Sequence, residues 1–448
     1  MTTVQLATAA FISHRRNPGY YPNMVLPRHM NVPANMGRLR GQAGSPAAPA
    51  AARAAGSLHH KDCLRGVFTF IYTRSAAYRV LPAAVEFERI DMPNLFDAFT
   101  LRGVVIRNRL AVSPMCMYSS HEGLAGDWHL VHLGSRAVGG WGLIICEATA
   151  VAPEGRISPH DAGLWRDEHI APLARINRFI KTYGGTPAIQ LAHAGRKGST
   201  ERLFNTTQPG AALSPERGGW QVVGPSPIAF DDRSPAPHEL NLAEIKQIQG
   251  AFVAAAQRAI EAGYELVEIH AAHGYLLHEF LSPLCNHRGD AYGGSFDNRV
   301  RMVLETTEAV RAAWPDKLPL AVRLSCSDWT DGGWSLEDSV ELARRLKAIG
   351  VDIIDCSSGG AVPHAKIPVG PGYQVPFAAA IRQQADIATG AVGMITDATA
   401  ASEIIASGKA DLVLMARQAL REPYLPVHAA RQMHAASGPQ LPGQYGRA

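Results

Sequence analysis

Two histidines and a tyrosine stand close together in the sequence, directly after a run that is typical of a buried strand. The run Leu266–Ala271 follows Gly263, a residue type that commonly ends helices. His270, His273 and Tyr275 fall where this strand should pass into a loop. Side chains at such a strand end point into a shared mouth if the fold is a barrel.

Three chemistries are open to this trio. The side chains could bind a metal, could hold a substrate oxygen by hydrogen bonds while protonating a carbon, or could be satisfied polar groups of the core. A hydrolytic zinc site needs a third ligand, and the helical His-Glu-x-x-His spacing is absent. The spacing of His270, His273 and Tyr275 therefore favours a clamp for an anion or carbonyl with a proton donor beside it.

The elements around the trio indicate a barrel. Short apolar runs alternate with amphipathic stretches, and strands that are buried on both faces are typical of an all-parallel sheet. Eight such units in one domain predict an α/β fold of the (β/α)8 type, the TIM barrel. The predicted strands are Leu110–Met115, Gly142–Ala148, Pro187–Ala192, Leu266–Ala271, Leu318–Leu324, Ile353–Ser357, Ala391–Ile395 and Asp411–Ala416. The predicted helices include Leu242–Ala262, Asn298–Trp314, Leu336–Ile349 and Asp397–Ser407.

Two further segments complete the predicted fold of residues 92–448. A short hairpin over Phe99–Ile106 is expected to cap the barrel floor, and the Gly- and Pro-rich segment Arg196–Glu239 is long enough to form a lid or an extra subdomain. A doubly wound sheet is the alternative fold, but no Gly-x-Gly-x-x-Gly follows the first strand.

The predicted strand ends form a ring that is polar and arginine-bearing, without a carboxylate cluster. Such a ring suits a planar anionic cofactor better than a metal. Gly393 is predicted in the second half of strand seven and Arg417 directly after strand eight. Barrels often hold phosphate at these two places, where Gly permits close backbone approach and Arg can donate two hydrogen bonds.

Composition limits the class of protein. The chain has 448 residues, of which 46% are hydrophobic and 18% charged, and it can therefore bury a large core. Its six cysteines are scattered and include no Cys-x-x-Cys pair, which argues against zinc ribbons, iron–sulfur clusters and a disulfide scaffold. No apolar run approaches the length needed to cross a bilayer. A cytoplasmic protein is expected.

Residues 1–91 differ from the rest of the chain. They hold 11 Lys and Arg against 4 Asp and Glu, a net charge of +7, whereas the whole chain has +4, so the remainder carries −3. The low-complexity run Gly44–Gly56 offers little apolar area to bury, and the extension is predicted to be disordered. An N-terminal transit peptide and a translation start near Met92 are both open. A nucleic-acid-binding arm is disfavoured because the basic residues are dilute.

One longer motif carries a family resemblance. The run His270-Ala-Ala-His273-Gly-Tyr275-Leu-Leu-His-Glu-Phe-Leu-Ser-Pro is followed by Asn286-His-Arg288 and Asp290-x-Tyr292-Gly-Gly-Ser. This pattern resembles the Old Yellow Enzyme family of flavin-dependent ene-reductases, and most closely its YqjM-like bacterial branch. The resemblance spans about residues 92 to 447. The segment Asp290–Ser295 is given a structural role, with Asp297 or Asn298 as a helix N-cap.

The resemblance implies an FMN cofactor. Ser113–Cys116 resembles the backbone stretch along the flavin, Gln190 the amide that pairs with its pyrimidine ring, and Arg323 the cation beside the reduced flavin. The family usually has Gly where Ala416 stands. The residues implied at the cofactor are Ser113, Pro114, Met115, Cys116, Ala148, Gln190, Arg323, Gly393, Met394, Ala416 and Arg417.

The resemblance also implies a reaction. NADPH or NADH reduces the flavin, and an enone or nitro compound then binds with its oxygen on His270 and His273 while Tyr275 protonates the α-carbon. Cys116 resembles the thiol that adjusts the flavin potential, although a buried structural thiol is the alternative. Tyr118 resembles a substrate contact. A metal-dependent barrel hydrolase and a non-catalytic flavin-binding barrel remain as alternative functions.

The C-terminus predicts assembly. The end Gln444-Tyr445-Gly446-Arg447-Ala448 resembles a family C-terminus whose Arg reaches into the active site of the neighbouring subunit. The expected partner is therefore a second copy of the chain, in a dimer or tetramer that binds a small-molecule substrate. A frayed terminus is the alternative for Arg447.

Overall fold

A computed structural model describes residues 93–447 of the protein. The predicted disordered extension, residues 1–91, lies outside the described residues. None of the helices in the described part of the chain has the length and apolar character needed to span a bilayer.

The architecture is the predicted (β/α)8 barrel. Eight parallel strands close on themselves in the order β3, β4, β5, β8, β9, β10, β11, β12, and nearly every strand residue is buried because helices cover the outside. The barrel strands are β3 (Leu110–Val112), β4 (Leu143–Ala150), β5 (Thr186–Ala192), β8 (Leu266–Ala271), β9 (Leu320–Ser325), β10 (Ile353–Ser357), β11 (Ala388–Ala391) and β12 (Leu412–Met415). Two short pairs lie outside the barrel: β1 (Phe99–Leu101) with β2 (Val104–Ile106), and β6 (Val223–Gly224) with β7 (His238–Glu239).

The helices follow the strands as the sequence predicts. The 20-residue helix α3 begins at a reciprocal cap, in which Asn241 accepts from the backbone of Glu244 and Glu244 accepts from that of Asn241. The helices are α1 (Asp127–Val138), α2 (Ile170–Thr182), α3 (Leu242–Glu261), α4 (Leu276–Leu281), α5 (Phe296–Ala313), α6 (Leu336–Ala348), α7 (Val375–Ala385), α8 (Ala398–Ala406), α9 (Arg417–Arg421) and α10 (Leu425–Gln432).

The predicted floor hairpin is confirmed. Strands β1 and β2 pair antiparallel, and their inward side chains Leu101, Val104 and Ile106 are buried. They pack in one cluster with residues near the amino ends of the barrel strands, among them Leu266 and Ile353. The hairpin therefore closes the barrel at the end opposite the predicted site.

Two local predictions were wrong. Strand seven was predicted as Ala391–Ile395, but β11 ends at Ala391, because Gly393 and Met394 have φ of +126° and +50° and leave the strand conformation. Gly393 consequently lies in the loop after the strand. The N-cap of α5 is Ser295, whose hydroxyl accepts from Asn298 N–H, so neither Asp297 nor Asn298 caps the helix.

The long segment 196–239 is irregular apart from the β6–β7 pair and short 3-10 turns. Two buried arginines attach it to the barrel. Arg196 donates to the carbonyls of Ile228 and Ala361, and Arg288 donates to those of Pro225 and Leu240. The segment thus forms an anchored loop on one side of the mouth.

A buried carboxylate secures the chain just beyond the trio. Asp328 is fully buried and accepts hydrogen bonds from Ser282 Oγ at 2.6 Å and Trp334 N at 2.8 Å. His278 accepts from Gly274 N–H through Nδ1, so its proton is on Nε2, which lies 3.1 Å from Asp328 Oδ1. Burial opposes the charge, but His278 and the hydrogen bonds outweigh it and lower the pKa of Asp328.

Replacing Asp328 by Ala should lower the free energy of unfolding by about 3–5 kcal/mol, because the change leaves buried donors without a partner. The folded-state pKa is depressed, so the stabilisation is present above the unfolded-state value of about 3.9 and is lost as the pH falls through the folded-state pKa. Urea unfolding of parent and variant at neutral and acidic pH measures both effects. If the difference in free energy of unfolding between parent and Asp328→Ala were the same at acidic as at neutral pH, this account would be contradicted.

Candidate active site

The trio converges as predicted. His270 is the fifth residue of β8, and His273 and Tyr275 lie in the turn that leads into α4. The imidazole ring centroids of His270 and His273 are 5.1 Å apart, and the centroid of Tyr275 lies 5.2 Å from that of His270. All three rings therefore border one small volume at the carboxyl end of the barrel.

A tight backbone contact produces this convergence. His273 has φ of +61° and Gly274 has φ of +72°. A Cβ on Gly274 would lie 2.0 Å from the carbonyl oxygen of Gly360, so only glycine fits. Ser325 Oγ accepts from His273 N–H at 2.8 Å and holds the turn on the neighbouring strand.

Burial keeps both imidazoles neutral. Desolvation and the neighbouring positive charge of Arg323 lower the pKa of His270 and of His273 well below the usual value. A neutral imidazole has one N–H to donate. His270 Nδ1 is buried and has no hydrogen-bond partner among residues 93–447, and His273 Nε2 lies 2.6 Å from Ser357 Oγ.

A lysine that the sequence analysis missed lies against the trio. Lys197 Nζ lies 5.2 Å from the centroid of Tyr275 and donates to the carbonyl oxygen of His273 at 2.8 Å. Burial lowers the pKa of Lys197 to about 8. Its position five residues beyond β5 could have indicated a place at the barrel mouth. The sequence analysis instead assigns Lys197 to the Gly- and Pro-rich segment Arg196–Glu239.

The inside of the barrel holds carboxylates that were not predicted. Glu268 and Asp355 are buried in mid-strand on either side of Arg323, whose Nε lies 3.2 Å from Asp355 Oδ2. Gln190 donates to Glu268 at 2.8 Å, and Arg323 donates to Ser113 Oγ at 3.2 Å. Burial, followed by the charge of Asp355, raises the pKa of Glu268 to about 8. The predicted ring, which was defined as having no carboxylate cluster, considered strand ends only and therefore did not include these two mid-strand carboxylates.

The loop that carries Cys116 and Tyr118 is held by the side chain of Glu147 on β4. Glu147 accepts from Met117 N–H at 2.8 Å and lies 3.2 Å from His129 Nε2. Cys116 is half-buried, and burial followed by the charges of Asp161 and Glu147 raises the pKa of its thiol well above the usual value. Cys116 is therefore a protonated thiol at neutral pH.

At the end predicted to bind phosphate lies an open cavity of about 350 Å³. Arg323 lines one part of it and Arg417, at the start of α9, another. Gly393 also lines it, and a Cβ there would press on Tyr373 and Gln374 at 3.2 Å. Ala416 has a negative φ of −99°, so the glycine usual in the family is not required here by a left-handed backbone. With Arg421, three guanidinium groups line a cavity of this size, which fits an anionic, planar cofactor such as FMN.

The remaining predicted residues are distributed as follows. Ser113 is buried, Pro114 and Met115 are half-buried beside it, and Met394 is exposed on the rim of the large cavity. Ala148 lies at the bulge of β4 and shares a small cavity with Tyr275. Tyr118 has φ of +49° and lies edge-on to Phe204, with 6.2 Å between centroids. Among residues 93–447, no three His, Cys, Asp or Glu side chains come together as a metal site.

The C-terminal tail does not reach the site of its own chain. Gln440, Pro442 and Gln444 lie beside Arg107, which precedes β3, and beside Thr182, which ends α2. These positions belong to the floor of the barrel. Arg447 is exposed there, and the ring centroid of nearby Tyr445 is 6.3 Å from that of Tyr424.

Comparisons with known proteins agree with this geometry. The family described as NADH:flavin oxidoreductase / NADH oxidase matches residues 94–435. The chain is 48% identical over 342 residues to an NADPH dehydrogenase of Bacillus subtilis, which covers 76% of this chain and 95% of the relative. An NADPH dehydrogenase of Bacillus velezensis is also 48% identical, over 79% of this chain and 98% of its own.

The fold is also similar to those of solved enzyme structures. A structure of morphinone reductase in complex with tetrahydroNAD matches with a TM-score of 0.63 and 27% identity, covering 77% of this chain and 92% of that one. The old yellow enzyme homologue from Zymomonas mobilis matches with a TM-score of 0.61 and 25% identity, covering 77% and 93%.

Proposed function

The chain belongs to the NADH:flavin oxidoreductase / NADH oxidase family, the Old Yellow Enzymes, and we propose that it reduces C=C bonds conjugated to a carbonyl or nitro group. It is an FMN-dependent oxidoreductase that uses NAD(P)H. The match to NADPH dehydrogenases along almost their whole length favours this function over a metal-dependent hydrolase and a non-catalytic flavin-binding barrel. The convergence of His270, His273 and Tyr275 at the barrel mouth is the observation that carries the proposed substrate class.

The residues of the large cavity and its neighbours would hold the cofactor. Arg417, with the backbone at Gly393, Met394 and Ala416, would bind the phosphate, and Arg323 would face the ring system. The stretch Ser113–Cys116, together with Ala148 and Gln190, would line the rings. Bound FMN supplies a hydride, which it first takes from the nicotinamide.

The two histidines would act as the clamp for the substrate oxygen. Because both imidazoles are neutral, each can donate one N–H without placing a buried positive charge beside Arg323. Hydrogen bonds to the carbonyl oxygen draw electron density from the conjugated bond and make its β-carbon electrophilic. Donors of this kind stabilise developing negative charge by about 3 kcal/mol each.

Tyr275 would protonate the α-carbon. Desolvation raises the pKa of its phenol well above 10, with further contributions from Cys116, Tyr118 and Asp161, so the side chain keeps its proton at neutral pH. Its ring stands at 73° to that of His270, beside the clamp. A carbonyl compound on the clamp would therefore lie next to a protonated phenol, and Tyr118 is a further substrate contact on the facing loop.

Replacing Tyr275 by Phe should leave FMN content and reduction by NADPH intact but slow the oxidation of reduced enzyme by cyclohexenone by about 100-fold or more, because only the proton donor is lost. Anaerobic stopped-flow absorbance separates the two half-reactions. Tyr183→Phe is the control, since it removes a phenol at the end of α2, on the floor side of the barrel and outside the site. Equal enone turnover in Tyr275→Phe and the parent would remove Tyr275 from proton transfer.

We also propose that the protein is a homo-oligomer in which Arg447 completes the site of a neighbouring subunit. Arg447 is exposed at the floor of its own barrel and is therefore available to a second copy. The proposal depends on the resemblance of the C-terminus, and the position of the tail supports it.

Replacing Arg447 by Ala should weaken substrate binding about tenfold without loss of FMN, because a cationic hydrogen-bond donor near the substrate oxygen is removed. Sedimentation of the parent protein and the Michaelis constant of the variant for cyclohexenone test the two parts. Arg431→Ala, on the surface of α10, is the control for loss of one positive charge. A monomeric parent, or an unchanged Michaelis constant, would contradict the proposal.

A further inference from the structure

A small cavity beside Tyr275 contains a single carboxyl group. Among residues 93–447, the only lining side chain besides Tyr275 that can exchange a proton is that of Asp161. The cavity is lined by Ala148, Ala150, Gly155, Ile157, Asp161, Ala192, Ala194 and Tyr275. The cavity offers about 10 Å³ to the centre of a water molecule, which is about the space that one buried water occupies.

The carboxyl group of Asp161 is held in a fixed place. It is 2% exposed; Oδ1 accepts from Ser158 N at 3.1 Å and Ser158 Oγ at 2.7 Å, and Oδ2 accepts from Ile157 N at 2.8 Å. These bonds form the turn after β4. A carboxylate has about four acceptor positions, so Oδ2, which accepts one bond from the protein, retains one.

Asp161 can hold a proton near neutral pH. Burial raises its pKa to about 7, the hydrogen bonds from Ser158 and Ile157 oppose the shift, and the charge of Glu147 adds to it. The titratable groups near this region include Cys116, Tyr118, Glu147, Arg156, Tyr275 and His193, whose imidazole packs on Gly155 and is kept neutral by burial, which lowers its pKa to about 4. Arg156 is the one cation among them, and its own pKa is lowered by burial.

After it has protonated a substrate, Tyr275 must regain a proton from the side that faces away from the substrate. When it has protonated a substrate, its phenolate is left in a desolvated site that strongly disfavours negative charge. The substrate itself then covers the mouth side. Lys197 lies over the ring face, but it donates to the carbonyl oxygens of His273 and Gly360. The small cavity, which both Tyr275 and Asp161 line, offers a route between the phenol and a buried carboxyl group.

We propose that Asp161 returns a proton to Tyr275 through one water molecule in this cavity. The inference rests on the proton-donor role of Tyr275 proposed above. In the step, the Tyr275 O–H bond breaks as the substrate C–H bond forms. The water gives a proton to the phenolate oxygen and receives one from the Asp161 carboxyl group. Asp161 regains its proton from solvent after product release, and no electrons move in the relay.

The test measures both half-reactions of Asp161→Asn by anaerobic stopped flow. Oxidation by cyclohexenone should slow about tenfold and its solvent isotope effect should change, while reduction by NADPH stays within about twofold. Ser158→Ala is the matched control, because it loosens the same turn but keeps the acid. Adding Asp161→Asn to Tyr275→Phe should slow oxidation no further, since the relay acts only through the phenol.

Each other outcome overturns the relay. Equal slowing by Asp161→Asn and Ser158→Ala, or equal slowing of both half-reactions, would assign Asp161 to the turn alone, and no slowing would remove it from proton transfer. If Asp161→Asn does not fold, Ala192→Val fills the cavity and keeps both acids, and it must slow oxidation selectively. If Tyr275→Phe slows oxidation and the cavity variants do not, only the relay fails. If Tyr275→Phe has no effect, the proposed function fails first.

Discussion

The site depends on the close contact between two backbone turns. Gly274 and Gly360 approach so closely that a Cβ on Gly274 would lie 2.0 Å from the facing carbonyl, and one on Gly360 would lie 2.5 Å from that of His273. Both glycines have positive φ, as has His273 between the strand and the turn. This contact turns the chain sharply after β8, so that His270 on the strand and Tyr275 at the start of α4 border the same volume. The surrounding anchors, Ser325 on His273 and His278 on Gly274, hold the turn in place.

Desolvation sets the chemistry of the mouth. It lowers the pKa of His270 and His273 and raises that of Tyr275 and Cys116, so all four side chains are uncharged at neutral pH. Uncharged donors can stabilise a negative charge that develops during reaction without repelling the cation needed by an anionic cofactor. Fixed positive charge is supplied by Arg323, which is buried against Asp355. One physical effect thus keeps the proposed clamp, the proposed proton donor and the thiol uncharged.

Much of the fold could be predicted because buried strands and helix-ending glycines repeat with a regular spacing. The trio could be predicted because it follows a strand end, and parallel strands of a barrel end at one face. The end of β11 could not be predicted, because the apolar run Ala391–Ile395 does not indicate that Gly393 and Met394 have positive φ. Asp161 and Lys197 were missed because loops bring them to the trio from distant parts of the chain. Glu268 was missed because it points into the barrel from mid-strand.

The most direct test of the central claim is phenol binding to the oxidised holoenzyme, since a phenolate offers the clamp an oxygen anion without any turnover. We predict that His270→Ala and His273→Ala each weaken phenol binding about tenfold or more and diminish the long-wavelength absorption band that it forms with the flavin, while NADPH still reduces the enzyme. His132→Ala, which removes a buried imidazole on α1, is the control and should bind phenol like the parent. Parent-like phenol affinity and absorption band in both clamp variants would contradict the account.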